Sequence, residues 1–428
     1  MSNIIDYNAF YELEQRLENA RKQTKQLYTQ INYVKSKNQD SDLHTMSRSM
    51  LSTKFEQEVS LNSNLSFNKY QGTREQGCNL RYLRTLNGHH NKIADLKWSQ
   101  DSTTILSASQ DGFMILWDAS TGLKKNAVLL ENQWVLSCAI SPNKKLAASA
   151  GLDNHCTIYK IDKENTLDQR VVAILKGHTG YISECEFISN YQILSASGDM
   201  TACKWDIIKG MKLMEYTEHL GDILALSTPK RFENSGVDSF NNNVFATAGS
   251  DGYLLLWDSR QRNSAQKFLI GDTDVGCLQF FSDNNAIAAG SDDGLVRLFD
   301  LRADCKIAEY SVMHQLHKLK EYSNSKTKLN TPQNSYYSTL ESSSLLSKNT
   351  EYDAEGVLSM DFSNSGRLLY ACYPNYGCVV WDTLKGEVVG MLQDHSSRIN
   401  KVKSSNNGFG VMTGSWDNSI KMWTPGYT

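Results

Sequence analysis

An aromatic residue, in most cases followed by Asp, closes seven successive segments of the chain: Trp117-Asp118, Tyr159, Trp205-Asp206, Trp257-Asp258, Phe299-Asp300, Trp381-Asp382 and Trp423. The intervals between these aromatics run from 42 to 52 residues, with one of 82. A period of roughly 40 to 45 residues is what four short antiparallel strands and their turns consume. One such sheet cannot bury both of its faces alone, so consecutive units must stack. Seven of them closed on themselves make an all-β ring, a β-propeller. Rings of this kind usually present docking surfaces and seldom carry catalysis.

The first unit shows the pattern in full. Gly88-His89 opens it; Ile93, Leu96 and Trp98 mark one strand, and Thr104–Ser109 the next. Asp111-Gly112 makes a tight turn, and Phe113 to Trp117 form a third strand. These offsets suit a buried hydrogen-bond chain in which His89 accepts from and donates to Asp111, Ser107 and the indole N–H of Trp117. The set recurs as His178, Ser195, Asp199 and Trp205; as His219, Thr247, Asp251 and Trp257; and as His395, Thr413, Asp417 and Trp423. One His-Asp-Ser group would suggest catalysis, but a group repeated in four units at similar offsets is structural. Units two, five and six lack the complete set and must hold by packing. Together with the period, Gly-His early and Trp-Asp late are the signature of a WD40 blade. The strand Arg81–Leu86 is expected to close the ring by joining the last blade, removing an open sheet edge.

Composition narrows the partners. The net charge is −3, without the basic excess that nucleic acid demands. Nine cysteines are spread singly with no CxxC pair, which reads as reduced thiol and offers no zinc site. No apolar run reaches the ~18 residues of a membrane span. Met1-Ser2 lacks the glycine that myristoylation needs, and the last residues carry no prenylation motif, so any lipid anchor is expected on a partner. No cofactor is expected.

Residues 1–40 read as a helix preceding the ring. Phe10, Leu13, Leu17, Ala20, Thr24, Leu27, Ile31 and Val34 alternate three and four apart, a heptad seam. A lone helix with one apolar seam needs a cover. The pattern alone leaves open a coiled coil with another chain, a homodimer, or a helix folded onto its own ring. Residues 41–80 read as a polar connecting segment and 81–428 as the propeller. The 82-residue interval is read as an insertion over 311–350, not an eighth blade: it holds 13 Ser/Thr, several lysines and no strand-length alternation. Thr331-Pro332 within it has the form of a phosphoacceptor. An inert surface loop is the plain alternative.

Residues outside the repeat are the informative ones. Trp134 and Trp416 are neither blade-ending nor in a first strand; each lies beside a loop at one rim. Leu152, Tyr181, Leu224, Asp222, Asp274 and Asp292 fall at comparable loop positions, with Lys92 as their basic companion. A mixed apolar and charged patch on one face is expected there, with the tryptophans as anchors.

The strings Leu106–Gly112, Gln133–Cys138, Gly151–Asn154, Leu175–Tyr181, Gly290–Asp293, Leu298–Asp304 and Thr413–Asp417 carry a resemblance. The chain resembles the beta subunit of heterotrimeric G proteins, most closely the fungal mating-pheromone type, over residues 10–36 and 81–424. The resemblance implies that the N-terminal helix pairs with a small, lipid-anchored gamma subunit. It implies that Lys92, Trp134, Leu136, Leu152, Tyr181, Asp222, Leu224, Asp274, Asp292 and Trp416 meet a GDP-bound alpha subunit coupled to a seven-helix receptor. The freed rim would then recruit a kinase-cascade scaffold, a p21-activated-type kinase and a polarity-exchange-factor adaptor at the cytoplasmic face of the plasma membrane. Ala94 departs from the family, which often has an aromatic there. The competing classes are a generic WD40 adaptor, disfavoured by the heptad helix and the family strings, and a propeller enzyme, for which no converging unrepeated polar groups can be picked out.

Overall fold

Seven four-stranded antiparallel sheets follow one another along the chain in the computed structural model. It describes residues 80–161, 171–229, 243–312 and 355–425, and six positions nearer the N-terminus. Those six, Gln15, Glu18, Asn19, Arg21, Lys22 and Gln26, are helical and exposed and belong to a separate compact unit. None is a position of the heptad seam. The seam residues, the segment 41–79 and Thr331 lie outside the described residues.

In six sheets the strands pair in sequence order, the first innermost and the fourth at the perimeter. Blade one runs Ile93–Trp98, Thr104–Ser109, Phe113–Asp118 and Lys124–Leu129. The first strands of successive blades contact one another around the ring, and that of blade one meets Ile399–Ser404 of blade seven. The seventh sheet is completed by the leading strand Leu80–Asn87, antiparallel to Ser419–Pro425 from Leu80↔Pro425 to Asn87↔Ser419. The sequence placed this closing strand one residue shorter at each end.

The core lies between blades. Leu86, Met412, Ile420 and Met422 of blade seven pack with Ile93, Leu96, Ile105 and Trp117 of blade one. Equivalent clusters join blades one to two, two to three, three to four, four to five and five to six. The middle strands, sandwiched on both faces, are buried almost throughout, Thr104–Ser109 completely. Perimeter strands alternate, as a half-covered edge requires.

Six of the seven turns between second and third strands use one device; blade six has Asn375 at that place. Asp Oδ1 accepts the N–H two residues on: Phe113 N donates to Asp111 at 2.9 Å, Thr201 N to Asp199 at 3.0 Å and Leu295 N to Asp293 at 3.0 Å. The residue between is left-handed, with φ of 83° at Gly112, 65° at Met200 and 66° at Asn418. This Asx turn explains the Asp beyond its role in the buried network. Ser311 ends the perimeter strand Cys305–Ser311 of blade five, and Val312 is buried in the core behind it. Both belong to the blade, although the sequence reading began its insertion at 311.

Candidate functional site: the loop rim of the ring

The buried networks come first, because they hold the loops. His89 Nδ1 lies 2.9 Å from Asp111 Oδ2 and its Nε2 lies 2.7 Å from Ser107 Oγ, while Trp117 Nε1 donates to the same hydroxyl at 2.8 Å. The corresponding distances are 2.8, 2.7 and 2.8 Å for His178, Asp199, Ser195 and Trp205. They are 2.8, 2.7 and 2.8 Å for His219, Asp251, Thr247 and Trp257. In blade seven His395, Asp417, Thr413 and Trp423 give 2.8, 2.8 and 2.9 Å. The indole reaches the hydroxyl and not the imidazole, so Ser or Thr is the hub, not the histidine that the sequence reading put there, because the hydroxyl stands between the two rings. Each carboxylate also accepts the backbone N–H that follows its histidine, as Thr179 to Asp199 at 2.9 Å, which fixes the loop entering the next strand. Those hydrogen bonds hold the four carboxyls below the usual range against the opposing effect of burial. Gly177 is the small residue such a loop needs, since a Cβ there would meet the Trp205 ring at 3.0 Å.

The irregular blades substitute. In blade two Tyr159 OH accepts from Glu131 N at 3.0 Å and lies 3.4 Å from Ser149 Oγ. In blade five Arg297 donates to Ser291 Oγ at 2.8 Å and to Asp293 Oδ2 at 2.6 Å. Blade six has Ala371 where the hydroxyl should be, and Trp381 Nε1 and the Tyr373 hydroxyl are buried without a well-aligned partner.

On this frame the loop residues fall into register. In each pair, the residue entering a first strand accepts a backbone hydrogen bond from the residue leaving the second. The pairs are Lys92 with Gln110, Trp134 with Leu152, Tyr181 with Gly198, Asp222 with Ser250, Asp274 with Asp292, and Arg398 with Trp416. All lie at the same end of their blades, hence on one face of the ring. Leu136 and Leu224, by contrast, sit inside first strands, at bulges where the register shifts between Val135 and Ser137 and between Ile223 and Ala225. Leu224 was expected in a loop. The bulge turns an extra residue out of the ladder. Ala94, Ser183, Gly276 and Asn400 hold the same position in other blades.

The rim is chemically divided. Lys92 Nζ lies 3.8 Å and the Arg398 guanidinium 4.3 Å from the Trp416 ring centroid, making a basic and aromatic sector over blades seven and one. Trp134 is 59% and Leu152 52% exposed, an apolar stretch on blade two. Tyr181 donates to Asp222 Oδ2 at 3.1 Å; burial and then that carboxylate push its hydroxyl up to about 12. Burial, then Asp274 and Asp293, raise the Asp292 carboxyl above its ordinary value. Blades four and five are thus the acidic sector. Sequence reasoning missed Arg398, whose only signal was its place beside the blade-seven loop. It also missed the charged lining of the channel, signalled by Asp95 and Lys97 interrupting an otherwise apolar strand.

Fold and networks together define a seven-bladed WD-repeat propeller. The solved WD40 β-propeller domain of Doa1 superposes with a TM-score of 0.61, covering 82% of this chain and 98% of that one at 19% identity. That likeness speaks for the fold alone. A family model described as G protein beta WD-40 repeat protein matches residues 70–329, and one described as WD domain, G-beta repeat, matches 386–424. The Saccharomyces cerevisiae guanine nucleotide-binding protein subunit beta is 47% identical over 97% of this chain and 92% of its own. Those of Oryza sativa subsp. japonica and Arabidopsis thaliana are 34% and 35% identical, over 79% and 80% of this chain and 82% and 83% of theirs. The chain belongs to the G protein beta subunit family, and its work is that of a beta subunit: docking, without catalysis. Beta subunits partner gamma and alpha subunits. Among the described residues no helix is long and apolar enough to cross a membrane.

Proposed function

We propose that the rim is the surface that binds a GDP-bound alpha subunit, and that its release is the switch. Lys92, Trp134, Leu136, Leu152, Tyr181, Asp222, Leu224, Asp274, Asp292 and Trp416 are the contacts. One observation carries the reading: these residues occupy only three blade-equivalent positions, all at one end of the ring, and combine exposed apolar anchors with separated basic and acidic sectors. A surface so divided fixes a partner's orientation as well as its affinity. The seam Phe10, Leu13, Leu17, Ala20, Thr24, Leu27, Ile31 and Val34 pairs with a gamma subunit whose lipid holds the complex at the cytoplasmic face of the plasma membrane. Receptor-driven exchange on alpha, in a pheromone response, frees the rim. The same residues then recruit a kinase-cascade scaffold, a p21-activated-type kinase and a polarity-exchange-factor adaptor. Overlapping footprints make the control occlusion and mass action. The 47% identity to a fungal beta subunit supports this branch. Phosphorylation at Thr331 in the 311–350 insertion is a subsidiary proposal, checked by phosphopeptide mapping with and without stimulus.

The test is purification from the chain's own cells in mild detergent, with and without a GTP analogue. A small lipidated subunit that stays, and an alpha subunit that leaves with the analogue, is the expected result. A solitary ring with neither partner would instead favour a generic adaptor.

A further inference from the structure

The first strands also line the central channel, where carboxylates and ammonium groups are buried together. The carboxylates are occupied. Asp95 Oδ2 accepts Ser137 Oγ at 3.1 Å and Cys138 N at 2.9 Å. Glu184 Oε2 accepts Leu226 N at 2.9 Å, and Asp361 Oδ2 accepts Ser404 N at 2.7 Å and its hydroxyl at 2.9 Å. Each clasps the next blade. Two of the three lysines are also matched: Lys97 lies 3.4 Å from Glu184 and Lys401 3.6 Å from Asp95. Lys403 differs. Its ammonium donates to Gln279 Oε1 at 3.1 Å, and among the described residues no carboxylate lies within 4.0 Å of it. An ammonium has three donors, and among the described residues Gln279 is the acceptor for one of them.

Lys403 sits at the channel mouth opposite the rim, where the first strands end. A cavity of about 160 Å³ opens there, and every blade contributes to its wall. Gln100, Gln279 and Asn406 also line it, with the Lys97 ammonium and the carboxylates of Glu186 and Asp361. That space is enough for a few waters or one phosphate-sized group. We propose that this mouth binds a single small anion, a phosphate or carboxylate group, with Lys403 as its charged contact. The carboxylates of the mouth make no ion pair with Lys403: Asp361 accepts from Ser404 and Glu186 from Thr228 N at 3.2 Å, while at longer range Asp361 and Glu184 favour the charged ammonium. Burial, and next the Lys97 charge, keep the Lys403 ammonium below the usual lysine range, a cost that a bound anion relieves.

The experiment is isothermal titration of sodium phosphate, and separately sodium acetate, into the full-length chain as it purifies with its partners. Chloride holds the ionic strength constant. Saturable one-site binding of one anion is expected, weakened at least tenfold by Lys403→Met and unchanged by Lys144→Met, a surface lysine paired with Asp101. The winning arm says whether the source is a phosphate or a carboxylate. Should Lys403→Met not fold, protection of Lys403 from reductive methylation by the anion, read by mass spectrometry on the native chain, answers instead. No saturable binding of either anion, or binding that survives Lys403→Met intact, overturns the proposal.

Discussion

Replacing Asp199 with Ala removes four hydrogen bonds at once. Oδ2 holds His178 Nδ1 at 2.8 Å and Thr179 N at 2.9 Å, and Oδ1 holds Thr201 N at 3.0 Å and its hydroxyl at 2.6 Å. Thr179 is exposed, and its N–H can turn to water at little cost. The His178 side chain, 1% exposed, cannot. Stranding one buried polar group costs about 1–3 kcal/mol, and the two part-buried Thr201 bonds, counted as ordinary hydrogen bonds, contribute about 0.5–1.5 kcal/mol each. The expected loss is therefore about 2–6 kcal/mol. Asp258→Ala is the control, for its Arg260 partner is largely exposed, and it should cost under ~1 kcal/mol. Urea midpoints at constant slope measure both. A double-mutant cycle with His178→Ala should return a coupling of about 1–2 kcal/mol. A loss for Asp199→Ala no larger than the control's, with zero coupling, would refute the view that these tetrads hold the loops.

Other outcomes follow from the same geometry. Trp134→Ala should weaken alpha-subunit binding at least tenfold in a pull-down or titration while leaving the melting temperature within a degree or two, because the ring stands in solvent; a large drop in melting temperature would mean Trp134 supports the core. Ala371→Ser in blade six places a hydroxyl where four other blades have one for their indole, and should raise stability by about 1 kcal/mol in urea titration. Stability should also fall with acid. The network carboxyls have folded pKa values below their unfolded ones, so their contribution is full above about pH 4 and is lost below it. His89 and His395 are also lowered, by burial, so the unfolded chain takes up protons first below about pH 6.5, and the slopes add. Melting temperatures from pH 7 down to about pH 2 check the direction, the histidines acting first and the carboxyls below about pH 4.

Much of this molecule was legible in its sequence, for identifiable reasons. The indoles of Trp117, Trp205, Trp257 and Trp423 recur because each needs the same hydroxyl in the same strand, and a repeated requirement leaves a period. Rim positions such as Trp134 and Trp416 stood out because the repeat does not explain them. Leu136 and Leu224 did not reveal their setting, since the bulge tolerates Ala, Leu, Ser, Gly or Asn alike and leaves no composition signal. The channel ion pairs were invisible for another reason. Lys401 and Asp95 meet only because the two ends of the chain close one ring, and no local pattern encodes such a meeting.

That closure has a consequence for biosynthesis. Blade seven joins Leu80 to Pro425, so a ribosome must deliver nearly the whole chain before the strand made early finds its neighbour made last. Joining positions so far apart costs ~5 kcal/mol of chain entropy in a flexible polymer. Through that delay Leu80–Asn87 waits as an unpaired edge, and the half-made polypeptide is at its stickiest. The unfinished chain is therefore the form of this molecule most open to edge-to-edge association, and completing blade seven removes that edge.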